Sequence, residues 1–204
     1  FSIAIDEEYS SAYINISDAL IKLEKFDQAK KYLDRSLSLD GPSPEIYSCL
    51  GNVNFYLEDY STSISFYQKS IKIDQMFKES YFGLGRSLSK LDKWFEAIHF
   101  FKKAYKIDNK NIEYVKSLAY AEFKVGNLVS SIDLYSKAVE MQPDDYKLSL
   151  DFSLIYYESG DIDKAIDIID QAIEESPGES LLYYRLVIYL MDAGRYKELS
   201  LIHI

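Results

Sequence analysis

The sequence repeats itself every 34 residues without a gap. The segment YSCLGNVNFYLEDYSTSISFYQKSIKID begins at Tyr47, and its counterpart YFGLGRSLSKLDKWFEAIHFFKKAYKID begins 34 residues later at Tyr81. The same shift finds related segments beginning at Val115 and Ser149, and the reverse shift finds one beginning at Tyr13. A fixed period of this length is typical of an array in which each unit packs on its neighbours. The period therefore predicts a repeat array rather than a single compact core.

Each unit has the apolar pattern of two helices. In the unit that contains Tyr81, apolar residues recur at three-to-four spacing at Leu84, Leu88 and Leu91, and again at Phe101 and Ala104. This spacing is the helical period, and strand signals are absent. A short polar turn, KLDKW, separates the two patterns. The chain is therefore predicted to be all-α, with two helices in each unit.

The alignment of the units divides the chain into numbered segments. Five complete units are predicted at 10–43, 44–77, 78–111, 112–145 and 146–179, with the end of a preceding unit at 1–9 and a partial unit at 180–204. The opening residues FSIAID match RSLSLD and KSIKID, which end later second helices. We therefore expect Phe1–Ile5 to be helical and the array to continue beyond both ends. Apolar surface at such open ends would favour self-association.

The residues that begin and end helices agree with this division. Gly126, Gly160 and Gly194 lie in the turns between paired helices, where Gly accepts the left-handed backbone that ends a helix. Ser43 followed by Pro44 is typical of an N-cap and the first helical residue. Each signal predicts a helix boundary at the place that the period requires.

Small and large residues recur at fixed places in the frame. Small residues occupy one first-helix position (Gly51, Gly85, Ala119, Ser153) and one second-helix position (Ala29, Ser63, Ala97, Ser131, Ala165), and rings follow the turn (Phe26, Tyr60, Trp94, Tyr196). This pattern resembles the tetratricopeptide repeat (TPR), a helix–turn–helix of 34 residues, over essentially the whole chain. It departs from the family at Asn109, where Pro is frequent. The resemblance implies a right-handed α-solenoid.

Charge and composition exclude some classes of function. The net charge is -10 and the isoelectric point is about 4.7, so phosphate backbones would be repelled and nucleic acid is not an expected partner. No apolar run reaches the roughly 18 residues that a membrane span requires. The single Cys49 allows no internal disulfide. We expect a cytoplasmic location; a signal peptide or lipid anchor before Phe1 would change that.

The residues that usually carry chemistry are scattered. His99 and His203 are the two histidines, Cys49 has no His near it in sequence, and no zinc-ligand spacing occurs. The segment GLGRS lacks the third Gly and the preceding strand of a phosphate loop. The acidic residues of GDIDKAIDIIDQAIEES recur at helical spacing, unlike those of a calcium loop. We therefore predict no catalytic residues, no metal site, no cofactor and no enzymatic activity.

The resemblance implies a concave groove lined by the first helices. By that frame, the predicted peptide-binding residues are Asn52, Tyr56, Phe82, Arg86, Lys90, Lys116, Tyr120, Lys124, Lys147 and Tyr157. These rings and cations suit a protein or peptide partner with acidic and apolar residues. The cations are expected to serve binding, because a packing role is not evident from their spacing. The two-carboxylate clamp of chaperone-binding family members is not matched in any window, so a chaperone-tail receptor is not expected.

Two classes of function remain open at this point. The first is a protein–protein interaction scaffold whose groove captures a peptide segment or helps to assemble a multiprotein complex. The alternative is the sensor or regulatory repeat region of a larger protein whose enzymatic or signalling domain lies outside these residues. A kinase, transferase or DNA-binding segment beside the repeats would favour the second class.

Overall fold

Residues 10–199 are described by the computed structural model of the chain. Twelve helices and no strand occur among these residues. They are α1 Ser10–Lys22, α2 Phe26–Asp40, α3 Pro44–Tyr56, α4 Tyr60–Ile73, α5 Lys78–Lys90, α6 Trp94–Ile107, α7 Ile112–Lys124, α8 Leu128–Met141, α9 Tyr146–Glu158, α10 Ile162–Glu175, α11 Ser180–Asp192 and α12 Tyr196–Leu199. The all-α prediction is confirmed. The predicted helix at Phe1–Ile5 lies outside the described residues.

Each predicted complete unit contains two of these helices. The pairs are α1 with α2, α3 with α4, α5 with α6, α7 with α8, and α9 with α10, while α11 and α12 lie in the partial unit. Helices of one pair pack on each other, and in addition α2 packs on α3, α4 on α5, α8 on α9 and α10 on α11. We keep the boundaries derived from the sequence as our proposed division into repeats.

The chain forms two compact units, Phe1–Asn109 and Lys110–Ile204. In the first unit, first helices of successive pairs also pack on each other, α1 on α3 and α3 on α5. In the second unit, α9 packs on α11 in the same way. Helices α1, α3 and α5 of the first unit therefore lie side by side, as do α9 and α11 of the second unit.

The turns between paired helices use a left-handed residue at one place in the frame. Gly126, Gly160 and Gly194 have φ of 79°, 88° and 71°, as predicted. In the first unit the equivalent residues are acidic, and Glu24, Glu58 and Asp92 have φ of 57°, 61° and 56°. The hydrogen bonds are the same in both kinds of turn. The N–H of Glu58 donates to the Phe55 carbonyl at 3.0 Å and the N–H of Gly126 to the Phe123 carbonyl at 2.8 Å.

The start of α3 follows the sequence signal. The Ser43 hydroxyl accepts a hydrogen bond from the N–H of Ile46 at 3.2 Å, and Pro44 is the first helical residue. Asp59 caps α4 in a similar way, because its carboxylate accepts from the N–H of Thr62 at 3.0 Å. These side chains satisfy donors that helix geometry leaves without an internal partner.

The small residues of the frame are buried where paired helices meet. Their side chains are at most 3% exposed at Ala29, Ser63, Ala97, Ala119, Ser131, Ser153 and Ala165. The Ser63 hydroxyl donates to the Gly51 carbonyl at 2.8 Å, and the Ser131 hydroxyl donates to the Ala119 carbonyl at 2.9 Å. The equivalent serines therefore join first and second helices by the same bond in both units.

The ring positions after the turn are less uniform. Phe26, Tyr60 and Trp94 are partly buried at the starts of α2, α4 and α6. Tyr196, at the start of α12, is 66% exposed, unlike the rings at the three equivalent places. A four-residue α12 offers less surface to pack against than the complete second helices of 14 or 15 residues do.

Candidate functional site

Five of the predicted binding residues lie on α3 and α5 of the first unit. Asn52 and Tyr56 are four residues apart on α3, and Phe82, Arg86 and Lys90 follow the same spacing on α5. Residues four apart share one face of a helix. Because α3 and α5 pack together, the two faces adjoin at the first-helix side of this unit.

An open pocket of about 340 Å³ lies at this junction. We call it the Arg86 pocket, and it is lined by Phe55, Tyr56, Glu58, Tyr60, Arg86, Ser89 and Lys90. Three of the predicted residues therefore come together, namely Tyr56, Arg86 and Lys90. Tyr56 is 46% exposed and Lys90 is also exposed, so both present atoms to solvent at the mouth of the pocket.

Arg86 lies against aromatic rings. Its guanidinium carbon is 4.2 Å from the centroid of Phe55, 5.9 Å from that of Tyr56 and 5.8 Å from that of Phe82. These are cation–π contacts, and they give Arg86 a packing role that the sequence did not predict. The ring contacts restrict the guanidinium to one place on the wall of the pocket.

The aromatic wall is itself held by ring-to-ring contacts. The Phe55 ring, 7% exposed, meets Tyr56 edge-on at 5.5 Å between centroids and Tyr60 at 5.6 Å. The ring of Phe26 stacks on Tyr56 at 5.7 Å with 4° between the planes. Aromatic pairs at these distances add stability beyond their buried area. The exposed ring of Tyr56 is therefore supported from two sides.

Asn52 and Phe82 have other positions. The hydroxyl of Tyr67 donates to the Asn52 side-chain oxygen at 2.7 Å, which leaves the amide nitrogen of Asn52 as the group available to a partner. Phe82 is partly buried against Phe101, with the centroids 5.8 Å apart. Phe82 therefore supports the wall beside Arg86, and Asn52 offers one polar donor.

The second unit holds the other five predicted residues, and there the charges are more fully paired. On α7, the ammonium of Lys116 lies 3.8 Å from the Glu113 carboxylate and 3.9 Å from that of Asp145. The charge of this cation is therefore shared between two carboxylates of the chain. Lys147, on α9, is exposed, and its Nζ lies 5.9 Å from the Tyr146 centroid.

The tyrosines of this unit differ in exposure. Tyr120 is 44% exposed, with its ring centroid 6.4 Å from that of Phe123, and Lys124 one turn further along α7 is exposed. Tyr157 stacks on Tyr189 at 4.7 Å, and its hydroxyl donates to Asp192 at 2.6 Å. This bond raises the pKa of Tyr157, because it favours the protonated phenol.

Four residues of the Arg86 pocket are absent from the set predicted from sequence, namely Phe55, Glu58, Tyr60 and Ser89. Glu58 is the left-handed turn residue, and Tyr60 is the ring that follows the turn. The frame assigned both places to the connection between helices rather than to binding. Their order along the chain could have indicated the pocket, since a turn that follows Tyr56 lies at the end of the same helix.

The described residues hold no group of three or more His, Cys, Asp or Glu side chains that could bind a metal ion. Cys49 is 6% exposed, and its Sγ lies 3.4 Å from a carboxylate oxygen of Asp18. Burial, together with that neighbouring carboxylate, raises the pKa of the Cys49 thiol. Among the described helices, none has the length and apolar character that crossing a membrane requires.

Two sequence profiles, each described as tetratricopeptide repeat, match the chain. One covers residues 122–187, and the other covers residues 10–42 and 78–111. The chain belongs to the tetratricopeptide repeat family. A search of curated proteins found no match.

Solved structures of TPR proteins have a similar fold. YrrB, described as a TPR protein with an unusual peptide-binding site, gives a TM-score of 0.70 at 21% identity, over 90% of this chain and 94% of that one. MamA of Desulfovibrio magneticus RS-1 gives 0.74 at 18%, over 83% and 96%. PilF of Pseudomonas aeruginosa gives 0.75 at 15%, over 94% and 92%. These likenesses show the fold, and the repeats support a general role as a protein-interaction scaffold.

Proposed function

We propose that the protein binds a peptide segment that carries acidic and apolar side chains, and that the Arg86 pocket is its main anchor. One observation carries the proposal. Arg86 is held against aromatic rings, while no carboxylate of residues 10–199 lies within ion-pair distance of Arg86 or Lys90. A cation fixed in this way can accept a carboxylate from a partner.

The geometry of the guanidinium favours a carboxylate in particular. The guanidinium carbon lies 4.2 Å from the Phe55 centroid, and the N–H donors of this planar group point outward from its edge. A carboxylate can meet that edge with two parallel hydrogen bonds. The exposed ring of Tyr56 offers an apolar surface beside it. The pocket thus suits an acidic residue next to an apolar one.

In this proposal the second unit also contacts the peptide, but with less positive charge than the Arg86 pocket has. Tyr120 and Lys124 are exposed on one face of α7, while Lys116 is partly neutralised by its two carboxylates. We therefore propose Tyr120 as the main contact of this unit, with Lys124 and Lys147 contributing to the rate of association. YrrB is described as having a peptide-binding site, which supports a peptide as the kind of partner.

A peptide-display selection tests the proposal. Peptides selected on the wild-type protein should be rich in acidic and apolar residues. Arg86→Ala with Tyr56→Ala should weaken their binding by about 2 kcal/mol or more, because Arg and Tyr dominate interface energies at hot spots. Fluorescence anisotropy of a labelled, selected peptide measures the loss.

The matched control is Lys30→Ala with Tyr184→Ala, which removes an exposed cation on the second helix α2 and an exposed ring on α11, neither of which lines the pocket. It should leave the affinity unchanged. Equal affinity of the wild type and the Arg86 and Tyr56 double variant for every selected peptide, with helicity preserved, would exclude the pocket as the anchor.

A further inference from the structure

A second basic and apolar surface occurs in the first unit, away from the Arg86 pocket. Two lysines on second helices lie over tyrosines of the first helices of their own repeats. Lys69 Nζ is 5.7 Å from the Tyr47 centroid, and Lys103 Nζ is 5.3 Å from the Tyr81 centroid. The two pairs are 34 residues apart, so the same arrangement occurs in two successive repeats. We call this surface the Lys–Tyr edge.

The positive charge of this edge is not neutralised within the described part of the chain. Lys72 and Lys106 follow three residues after Lys69 and Lys103, and all four lysines are exposed. No carboxylate among residues 10–199 lies within ion-pair distance of any of them. The nearby carboxylate of Asp108 is bound by another cation, Lys78, at 2.6 Å.

An open cleft of about 370 Å³ lies at the third-repeat end of the edge. It is lined by Gln75, Met76, Tyr81, Lys103, Lys106 and Ile107. Met76 is 66% exposed, and Ile73 close by is 48% exposed. The cleft therefore combines two ammonium groups with apolar side chains that are open to solvent.

Met76 is not required by the turn in which it lies. The equivalent residues of the other repeats are Pro42, Lys110, Asp144 and Gly178, which are turn formers or polar residues. Met76 therefore adds apolar surface beside Lys103 and Lys106 that the turn itself does not use. A partner that covered this surface would gain free energy from its burial.

We propose that the Lys–Tyr edge is a second peptide-binding surface, which takes an acidic amphipathic segment of a partner protein. Charge complementarity selects the acidic residues, since the lysines have no described counter-charge. The cleft selects an apolar residue that inserts beside Met76 and Ile107. A concave site of this kind suits an inserted side chain better than the flat surface of an anionic bilayer.

The sequence restricts this surface to two repeats. At the places equivalent to Lys72 and Lys106, the next two repeats have Glu140 and Glu174. An acidic segment would be repelled there, so the surface ends within the first unit. None of the lysines at the edge lines the Arg86 pocket, and the two proposals can therefore fail independently.

A defined probe tests the proposal. The probe is a short, end-blocked, fluorescein-labelled peptide of leucine and glutamate, and its companion has glutamine in place of each glutamate. The acidic probe should bind, and Lys103→Glu with Lys106→Glu should weaken it roughly tenfold or more through charge reversal. Met76→Ser should weaken it severalfold, and the glutamine companion should bind poorly to the wild type.

Three controls decide between surfaces. Lys22→Glu with Lys30→Glu makes the same charge change at exposed positions outside the edge and should have little effect. Arg86→Ala with Tyr56→Ala should leave probe binding unchanged. Lys103→Gln with Lys106→Gln, a milder change, should weaken binding less than the reversal, and circular dichroism checks that each variant keeps its helicity.

Several results would overturn the proposal. Loss of probe binding in the Arg86 and Tyr56 variant, with none in the Lys103 and Lys106 variant, would assign the peptide to the other site. If the Lys103 and Lys106 variant lost binding to vesicles that contain phosphatidylserine but still bound the acidic probe as the wild type does, the edge would be assigned to a lipid surface. Self-association that sedimentation shows to depend on Lys103 and Lys106, without probe binding, would assign it to a second copy of the chain.

Discussion

The ring of Tyr67 lies between two glycines of the first unit, Gly51 on α3 and Gly83 on α5. A Cβ added at Gly51 would lie 2.6 Å from the ring of Tyr67, and one at Gly83 would also overlap it. Tyr67 is 1% exposed, so the ring has no free space into which it could move. These glycines let the ring pass between the helices and reach Asn52.

Gly51→Ala should therefore destabilise the protein. The overpacking cost of about 1–3 kcal/mol should exceed the gain of about 1 kcal/mol in helix propensity. Urea unfolding followed by circular dichroism measures the free energy of unfolding. Gly178→Ala is the matched control, because its Cβ would meet nothing within 4 Å.

Repeating Gly51→Ala in a protein that lacks the Tyr67 ring tests whether crowding against that ring causes the loss of stability. Leu33 occupies the place equivalent to Tyr67 in the first repeat, so Tyr67→Leu is a natural alternative at this position. Gly51→Ala should cost less in the Tyr67→Leu background, since the ring it meets is gone. An equal cost in both backgrounds would show that Tyr67 is not the cause.

At the scale of the helix pair, the turns of the first unit contain a local strain that the turns of the second unit avoid. Glu58 has φ of 61°, whereas Gly126 at the equivalent place has φ of 79°. This conformation costs a residue with a Cβ about 1–2 kcal/mol, whereas Gly adopts it without that cost. The hydrogen bonds that end α3 hold Glu58 there despite the cost.

Glu58→Gly should therefore raise the free energy of unfolding by up to about 1 kcal/mol, after the greater entropy of Gly in the unfolded chain is subtracted. Glu58→Ala is the control, because it removes the same carboxylate and keeps the Cβ. Thermal unfolding should place the Gly variant above both the wild type and the Ala variant. An equal rise in the two variants would instead indicate relief of charge repulsion.

The sequence predicted the helix pairs because helix period, turn glycines and small buried residues are all local signals. It did not predict the left-handed Glu24, Glu58 and Asp92, since acidic residues do not signal this conformation as Gly does. The contacts of the cations were harder still to predict from the sequence. Arg86 on α5 lies over Phe55 of α3, and Lys116 on α7 is near Asp145, which caps the first helix of the next pair. Such contacts depend on packing between repeats, which spacing along one helix does not determine.

At the scale of the whole molecule, charge is distributed unevenly along the sequence. The third repeat has eight Lys or Arg residues against four acidic ones, and the fifth has two against nine. The two proposed binding surfaces of the first unit draw their cations mainly from the third repeat, namely Arg86 and Lys90 for one and Lys103 and Lys106 for the other. Because these groups are at or near the surface, binding at either should weaken as salt increases.

Buried phenols and the buried thiol give the whole chain a dependence on high pH. Burial raises the pKa of Cys49, Tyr67 and Tyr135 above their usual values of 9.0, 10.0 and 10.0. At a pH above those values, the unfolded chain releases protons that the folded chain retains. The unfolded state then binds fewer protons, so the free energy of unfolding falls as pH rises. The decline should begin near the usual thiol pKa and steepen near the usual phenol pKa.

Tyr67→Phe should make this decline shallower, because it removes one phenol that only the unfolded state ionises. It also removes the hydrogen bond to Asn52, so the variant starts from a lower stability at neutral pH, by about 1 kcal/mol. Urea unfolding at a series of pH values from neutral to alkaline measures both effects. Tyr184→Phe is the control, since that ring is 63% exposed and the substitution removes no buried phenol. Parallel declines for the wild type and both variants would show that the alkaline loss comes from general charge repulsion rather than from the buried Tyr67.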